Sequence, residues 1–152
     1  MHEGMNAVQT QTYGPEARGG ATRADVVISN ESIHYPKVIN PHILVCLTQE
    51  SYNKFSDIVR PGGLLLTDSH YVKLERVADA RQVELGMYEA VMEKVGRPIV
   101  LNICMLGALI GLTELVKAES IMKVLKQKID PQLTAFNEKA LELGLRLAKN
   151  KK

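Results

Sequence analysis

The three residue types of a hydrolytic triad occur consecutively at Asp68-Ser69-His70. Neighbouring side chains on an extended chain diverge to opposite faces, whereas a triad needs three groups converging from separate parts of the chain. The run therefore reads as polar punctuation at a strand end, although the carboxyl ends of parallel strands are also where ligands bind. His2, His34, His42 and His70 show no i, i+4 or other metal-ligand spacing, so no metal is assigned and no residue receives a catalytic role. Cys46 and Cys104 each lie inside an apolar run and read as buried, reduced thiols. Two cysteines exclude an iron–sulfur cluster held by four cysteines of this chain.

The densest unusual segment is Tyr13-Gly14-Pro15-Glu16-Ala17-Arg18-Gly19-Gly20, with Arg23 just beyond it. Its glycines let the backbone approach a partner closely, Pro15 stiffens the turn, and Arg18 offers a planar fork of donors suited to phosphate or carboxylate. On these residues alone, a ligand contact and an internal pairing of Glu16 with Arg18 or Arg23 stand equally open. The chain contains neither G-x-G-x-x-G nor G-x-x-x-x-G-K-[ST], so the usual dinucleotide and triphosphate cradles are missing. Arg60-Pro61-Gly62-Gly63-Leu64-Leu65-Leu66 resembles a late turn of Rossmann-type methyltransferases, but that reading needs a glycine-rich cofactor loop after an early strand, and none is present.

The elements that must carry these residues follow from periodicity. Val8 to Tyr13 alternates as a half-exposed strand, while Ala24 to Ser29 and Ile43 to Leu47 read as strands covered on both faces, as in a parallel sheet. Thr48 can cap a helix bearing Tyr52, Phe55, Ile58 and Val59, and Arg60-Pro61-Gly62-Gly63 then turns the chain into a strand over 64–68, which completes a βαβ unit. Val83, Met87, Ala90, Val91 and Val95 trace one helix face ended by Gly96 and Pro98. Ile99-Val100 reads as a last short strand and Asn102 to Leu112 as a buried helix, with Gly107 and Gly111 forming a flat strip for close packing. Ile121, Val124, Leu125 and Ile129 mark a further helix. Asp130-Pro131 starts the last one, with Leu133, Phe136, Ala140, Leu143 and Leu147 inward.

The expected fold is α/β: a Rossmann-like three-layer domain with a mostly parallel sheet and a helical C-terminal half. It forms a single domain over 1–152, ending in a basic tail at 149–152 that reads as solvated and frayed. At 45% hydrophobic and 24% charged, the 152 residues have the profile of an ordinary globular chain. A net charge of +2 supplies no large field to attract nucleic acid or anionic lipid. No secretory signal is visible and the longest apolar run, Ile99 to Leu112, is too short to span a membrane, so the expected location is the cytoplasm.

Gln9-Thr10-Gln11-Thr12-Tyr13-Gly14-Pro15-Glu16-Ala17-Arg18-Gly19-Gly20-Ala21-Thr22-Arg23-Ala24-Asp25-Val26-Val27-Ile28-Ser29 closely resembles the gamma subunit of 2-oxoacid:ferredoxin oxidoreductases, the 2-oxoglutarate type (2-oxoglutarate synthase) most of all. The likeness continues through Tyr35-Pro36-Lys37-Val38, Ser51-Tyr52-Asn53-Lys54-Phe55 and Pro61-Gly62-Gly63. The resemblance implies a complex that decarboxylates a 2-oxo acid oxidatively on thiamine diphosphate, passes the acyl group to coenzyme A, and sends electrons through iron–sulfur clusters to ferredoxin. It implies alpha, beta and ferredoxin-like delta partners that carry the chemistry. The gamma chain binds no cofactor alone and helps to form the coenzyme A site, with Tyr13, Gly14, Pro15, Glu16, Arg18, Gly19, Gly20 and Arg23 as its candidate contacts. A self-standing Rossmann-like domain binding coenzyme A or a nucleotide is the alternative. Compared with the family pattern, the chain lacks a strand, a G-x-G-G-Q-G-like loop and a helix ahead of Asn6. Strand edges left unpaired in this way predict homo-oligomerisation or marginal stability of the isolated chain.

Overall fold

In the computed structural model, which describes residues 3–12 and 21–152, the first parallel strand pair forms as the sequence patterning requires. β3 (Ile43–Cys46) leads to Thr48, whose side chain accepts from the Ser51 N–H while the Ser51 hydroxyl accepts from the Thr48 N–H, a reciprocal cap that starts α1 (Gln49–Phe55). A 3₁₀ turn at Ser56–Ile58 follows. Pro61 and Gly62 then occupy the centre of a β-turn closed by the Gly63 N–H on the Arg60 carbonyl at 2.9 Å, with Gly62 at φ +73°. That is the geometry of a type II turn, which takes proline second and glycine third. β4 (Gly63–Asp68) runs parallel to β3, pairing Ile43 with Leu64 and Cys46 with Thr67.

Beyond β4 lies a strand that the sequence patterning had assigned to a helix. β5 (Ala80–Leu85) completes a sheet of order β3-β4-β5. The Gly62 N–H reaches the Asp79 carbonyl just before the two strands, and the Ser69 N–H, just past β4, reaches the carbonyl of Leu85, the last residue of β5, so β4 and β5 run the same way. Val83 and Met87 are four apart by coincidence. Val83 belongs to the strand, Gly86 breaks the chain, and only α2 (Met87–Lys94) is helical.

A second correction concerns β1 (Asn6–Thr12) and β2 (Arg23–Ser29). They form an antiparallel, two-stranded ribbon, and β2 alternates between half-buried and exposed residues instead of lying covered on both faces. The run Val26-Val27-Ile28 suits any strand. Its sidedness was set by pairing with β1, which composition does not reveal. A third correction is at Ile99-Val100, which lies in a 3₁₀ turn, Pro98–Val100, because Pro98 opens a helical entry instead of a strand.

The described residues group into two compact units: Met1–Thr67 with Tyr71–Val83, and Asp68–His70 with Glu84–Lys152. In the first, Cys46, Tyr52, Leu65 and Val72 form the core, with Leu44 and Ala78 packed against it. The buried Tyr52 hydroxyl donates to the Arg76 carbonyl at 3.2 Å and accepts from the Arg76 N–H at 3.1 Å. The Gln49 amide bonds both backbone groups of Lys73, so α1 fixes the segment that leads to β5.

The second unit is helical. α3 (Leu101–Thr113) is apolar all round, as expected of a buried helix, and α5 (Pro131–Lys149) starts as its sequence requires, with the Asp130 carboxylate accepting from the Gln132 N–H at 2.8 Å and Pro131 at its first position. α4 (Ala118–Lys128) is amphipathic and carries no fully buried residue. Between α3 and α5 the backbones meet. Side-chain carbons added at Gly107 and Gly144 would run into the carbonyl oxygens of Leu141 and Cys104, and one at Gly111 would lie 2.6 Å from the Ala148 Cβ. The expected glycine strip for close packing is therefore real. The basic tail is not wholly frayed, since α5 continues to Lys149 and Lys152 pairs with Glu114.

Candidate functional site

Of the eight candidate contacts named from sequence, Tyr13, Gly14, Pro15, Glu16, Arg18, Gly19 and Gly20 lie outside the described residues. Arg23, the eighth, begins β2. Its Nε and one terminal nitrogen hold Asp25 at 2.6 and 3.0 Å, the same terminal nitrogen reaches the Val38 carbonyl at 2.5 Å, and the guanidinium lies 5.8 Å from the centre of the Phe55 ring. A fork held by one carboxylate, one carbonyl and one aromatic face is largely committed inside its own unit.

The end of β4 shows why the Asp68-Ser69-His70 run is no triad. Asp68 is completely buried, and its carboxylate faces backbone instead of the imidazole: one oxygen accepts from the His70 N–H and the other from the Tyr88 N–H, each at 2.9 Å. Tyr88 is the second residue of α2, and Gly86 at its cap has no side chain, so Asp68 acts as the missing cap from another part of the chain. The His70 ring stacks on Tyr88 at 4.0 Å and its Nδ1 lies 3.0 Å from a Glu89 oxygen. A histidine paired with a carboxylate can carry a proton, but this pair is exposed, and the Asp68 carboxylate that would have to orient the imidazole is bonded to backbone instead. The polar punctuation read from sequence is what the structure contains.

No group of three or more histidine, cysteine or acidic side chains able to hold a metal occurs among the described residues. Cys46 and Cys104 are both buried and unbonded to each other, one in each unit, and do not make the donor set of a cluster. Burial pushes the Cys46 thiol up to about 11 despite a hydrogen bond with Ser51, and pushes Cys104 up to about 12, with the charge of Asp68 adding to the rise. Thiols held protonated in this way are poor nucleophiles and poor ligands. In the folded chain neither should label with iodoacetamide at pH 7 to 8, and both should label in denaturant; rapid labelling of either in the native state would contradict the burial. The pH dependence has a definite sign. Because the folded thiols keep their protons above the range in which the unfolded ones lose them, their contribution is complete below the ordinary thiol pKa. It is then lost by about 1.4 kcal/mol per thiol for each pH unit climbed toward the folded values. Urea midpoints between pH 8 and 11 would show this decline.

A shallow groove lies beside the 3₁₀ turn, lined by Asn40, Ser56, Asp57, Arg60, Ala78 and Asp79. It sits at the amino ends of β3, β4 and β5, the side away from where open α/β sheets take ligands. Among the described residues no helix is long and apolar enough to cross a membrane.

The model of the pyruvate ferredoxin/flavodoxin oxidoreductase family matches residues 1–147. The chain belongs to this family. It is 41% identical over 151 residues to the 2-oxoglutarate synthase subunit KorC of Methanocaldococcus jannaschii, an alignment covering 98% of this chain and 81% of that one. It is also 35% identical over 147 residues to the ketoisovalerate oxidoreductase subunit VorA of Methanothermobacter thermautotrophicus, where 95% of this chain matches only 29% of a longer polypeptide. The solved gamma subunit of keto/oxoacid ferredoxin oxidoreductase from Geobacter sulfurreducens superposes with a TM-score of 0.87 at 34% identity, covering 98% of this chain and 83% of that one. The gamma-subunit resemblance and the α/β class read from the sequence both hold. In this family of oxidoreductases, then, the chain is a gamma-type subunit, and other subunits are expected beside it.

Proposed function

We propose that the chain is the gamma subunit of a 2-oxoglutarate:ferredoxin oxidoreductase, working beside alpha, beta and ferredoxin-like delta subunits in the cytoplasm. The observation that carries this reading is the identity of 41% to a 2-oxoglutarate synthase subunit across 98% of the chain. In such a complex the thiamine diphosphate, iron–sulfur clusters and coenzyme A supply the decarboxylation, electron transfer and acyl transfer. The gamma chain's task is to build the assembly and to complete the coenzyme A site. Its described residues agree with that division of labour: the one buried carboxylate at a strand end is spent on backbone N–H groups, and both thiols are buried. The two units act together as one gamma-type domain, which the family match over 1–147 supports.

The coenzyme A contribution is assigned to Tyr13 to Gly20, with Arg18 as the anion contact. Arg23 serves indirectly, its fork holding Asp25 and the Val38 carbonyl at the start of β2. In the reconstituted complex, Arg18→Ala should weaken coenzyme A binding by about tenfold to a hundredfold, the loss of one or two charge-assisted hydrogen bonds. Titration calorimetry would read this, and an unchanged affinity removes Arg18 from the site. The purified chain alone should neither oxidise 2-oxoglutarate nor bind coenzyme A tightly. Tight binding without partners would favour a self-standing coenzyme A domain instead.

A further inference from the structure

The β1–β2 ribbon leaves one whole face, with its aliphatic side chains, exposed to water. Residues paired directly across an antiparallel ladder share a face, and faces alternate along each strand. The register Ala7 with Ile28, Gln9 with Val26 and Gln11 with Ala24 therefore places these six residues on one face. All six are exposed, Val26 by 58% and Ile28 by 38%. The opposite face carries the half-buried pair Val8 and Val27 together with Arg23 and Asp25, whose ion-paired side chains are only 25% and 13% exposed. The inner face thus holds both the ion pair and two valines, while the outer face leaves Val26 and Ile28 in water. Apolar area gains by leaving water, so the outer face would be stabilised by a cover.

The outward face carries no charge at all in a chain where 24% of residues are charged. An aliphatic centre flanked by neutral amides and stripped of charge is the composition of an interface core. A ribbon of two strands is also marginal in water by itself and gains most from a cover.

The occupant follows from the relatives. In the ketoisovalerate oxidoreductase VorA this sequence is 29% of one polypeptide, so there a fold of this kind is covalently joined, one to one, to a large and different sequence. A covering of that kind is heterologous, unlike the self-complementary patch that a second copy would require. Resting on the gamma-subunit reading above, we propose that the outer face of β1–β2, centred on Val26 and Ile28, docks the partner subunit corresponding to the rest of the VorA polypeptide, through an uncharged, aliphatic patch on that subunit.

The test uses the whole complex. The partner subunits are co-expressed with the wild-type chain or with Val26→Glu/Ile28→Lys, and affinity is measured by surface-immobilised partner. Each chain is also melted and sized alone. The double variant should keep the wild-type melting profile and lose about a hundredfold in affinity for the partner. If it folds poorly, Val26→Thr/Ile28→Thr preserves the branched shape for β structure and should still lose about tenfold. Wild-type affinity in a folded variant of either kind overturns the dock while leaving the gamma-subunit reading intact. So does a wild-type dimer that the double variant turns into monomer, because the face would then belong to a second copy. A wild-type chain that fails to assemble with the partners overturns the gamma-subunit reading itself.

Discussion

Gly144→Ala is expected to cost about 3 kcal/mol or more of the stability of the helical unit, enough to leave little folded protein at 37 °C. The added carbon would overlap the Cys104 carbonyl oxygen and lie 2.6 Å from the Ala108 nitrogen and 2.9 Å from the Cys104 carbonyl carbon. All three atoms are backbone of α3, so no rotamer change relieves the overlap and the helices must move apart. Separation would uncover Cys104, Ala108, Ala140 and Leu141, which together are almost wholly buried at this crossing. Gly107 faces the reciprocal problem against the Leu141 backbone, so the two glycines form one contact viewed from both helices. Urea denaturation gives the measurement. Gly96→Ala is the matched control: it sits at φ +72° with nothing within 4 Å, so its penalty is backbone strain alone, about 1–2 kcal/mol. Equal losses at the two positions would show that close helix approach is not what Gly144 provides.

Half of that contact could be read from sequence. Gly107 and Gly111 stand out because they are four apart in an apolar helix, whereas Gly144 is a single glycine in an amphipathic one and becomes informative only when its neighbour is known. The same divide runs through the fold. The cap at Thr48, the turn at Pro61-Gly62 and the start at Asp130-Pro131 were legible because each depends on residues within four positions of one another. β5 and the β1–β2 ribbon were misread because a strand's identity depends on the neighbour that pairs with it. Val83 and Met87 fit a helical period by accident, and Val26-Val27-Ile28 suits a central strand as well as a ribbon. At the site, the same limit let Asp68 be recognised as something other than a triad member without revealing its partner, since Tyr88 lies 20 positions away.

Asp68→Ala should cost about 3 kcal/mol, and Asp68→Asn about half of that, through the loss of a cap that no nearby residue can replace. The buried carboxylate accepts at both oxygens, from His70 and from Tyr88, each at 2.9 Å. Alanine strands both N–H groups and leaves a void. Asparagine keeps the shape and one acceptor, but turns its NH₂ toward the second N–H, so a donor meets a donor. The negative charge is also favoured where it lies, at the positive end of α2. His70→Ala and Glu89→Ala provide the contrast. Their pairing is exposed, with side chains 42% and 57% accessible, so each should stay within about 1 kcal/mol of wild type. If instead His70→Ala proved the more damaging, and damaged turnover of the assembled oxidoreductase while leaving the melt untouched, the strand end would be a site of chemistry and Asp68 its orienting residue. An ordering of Ala below Asn below wild type in stability, with His70→Ala near wild type, makes Asp68 the tie between the end of β4 and the first turn of α2.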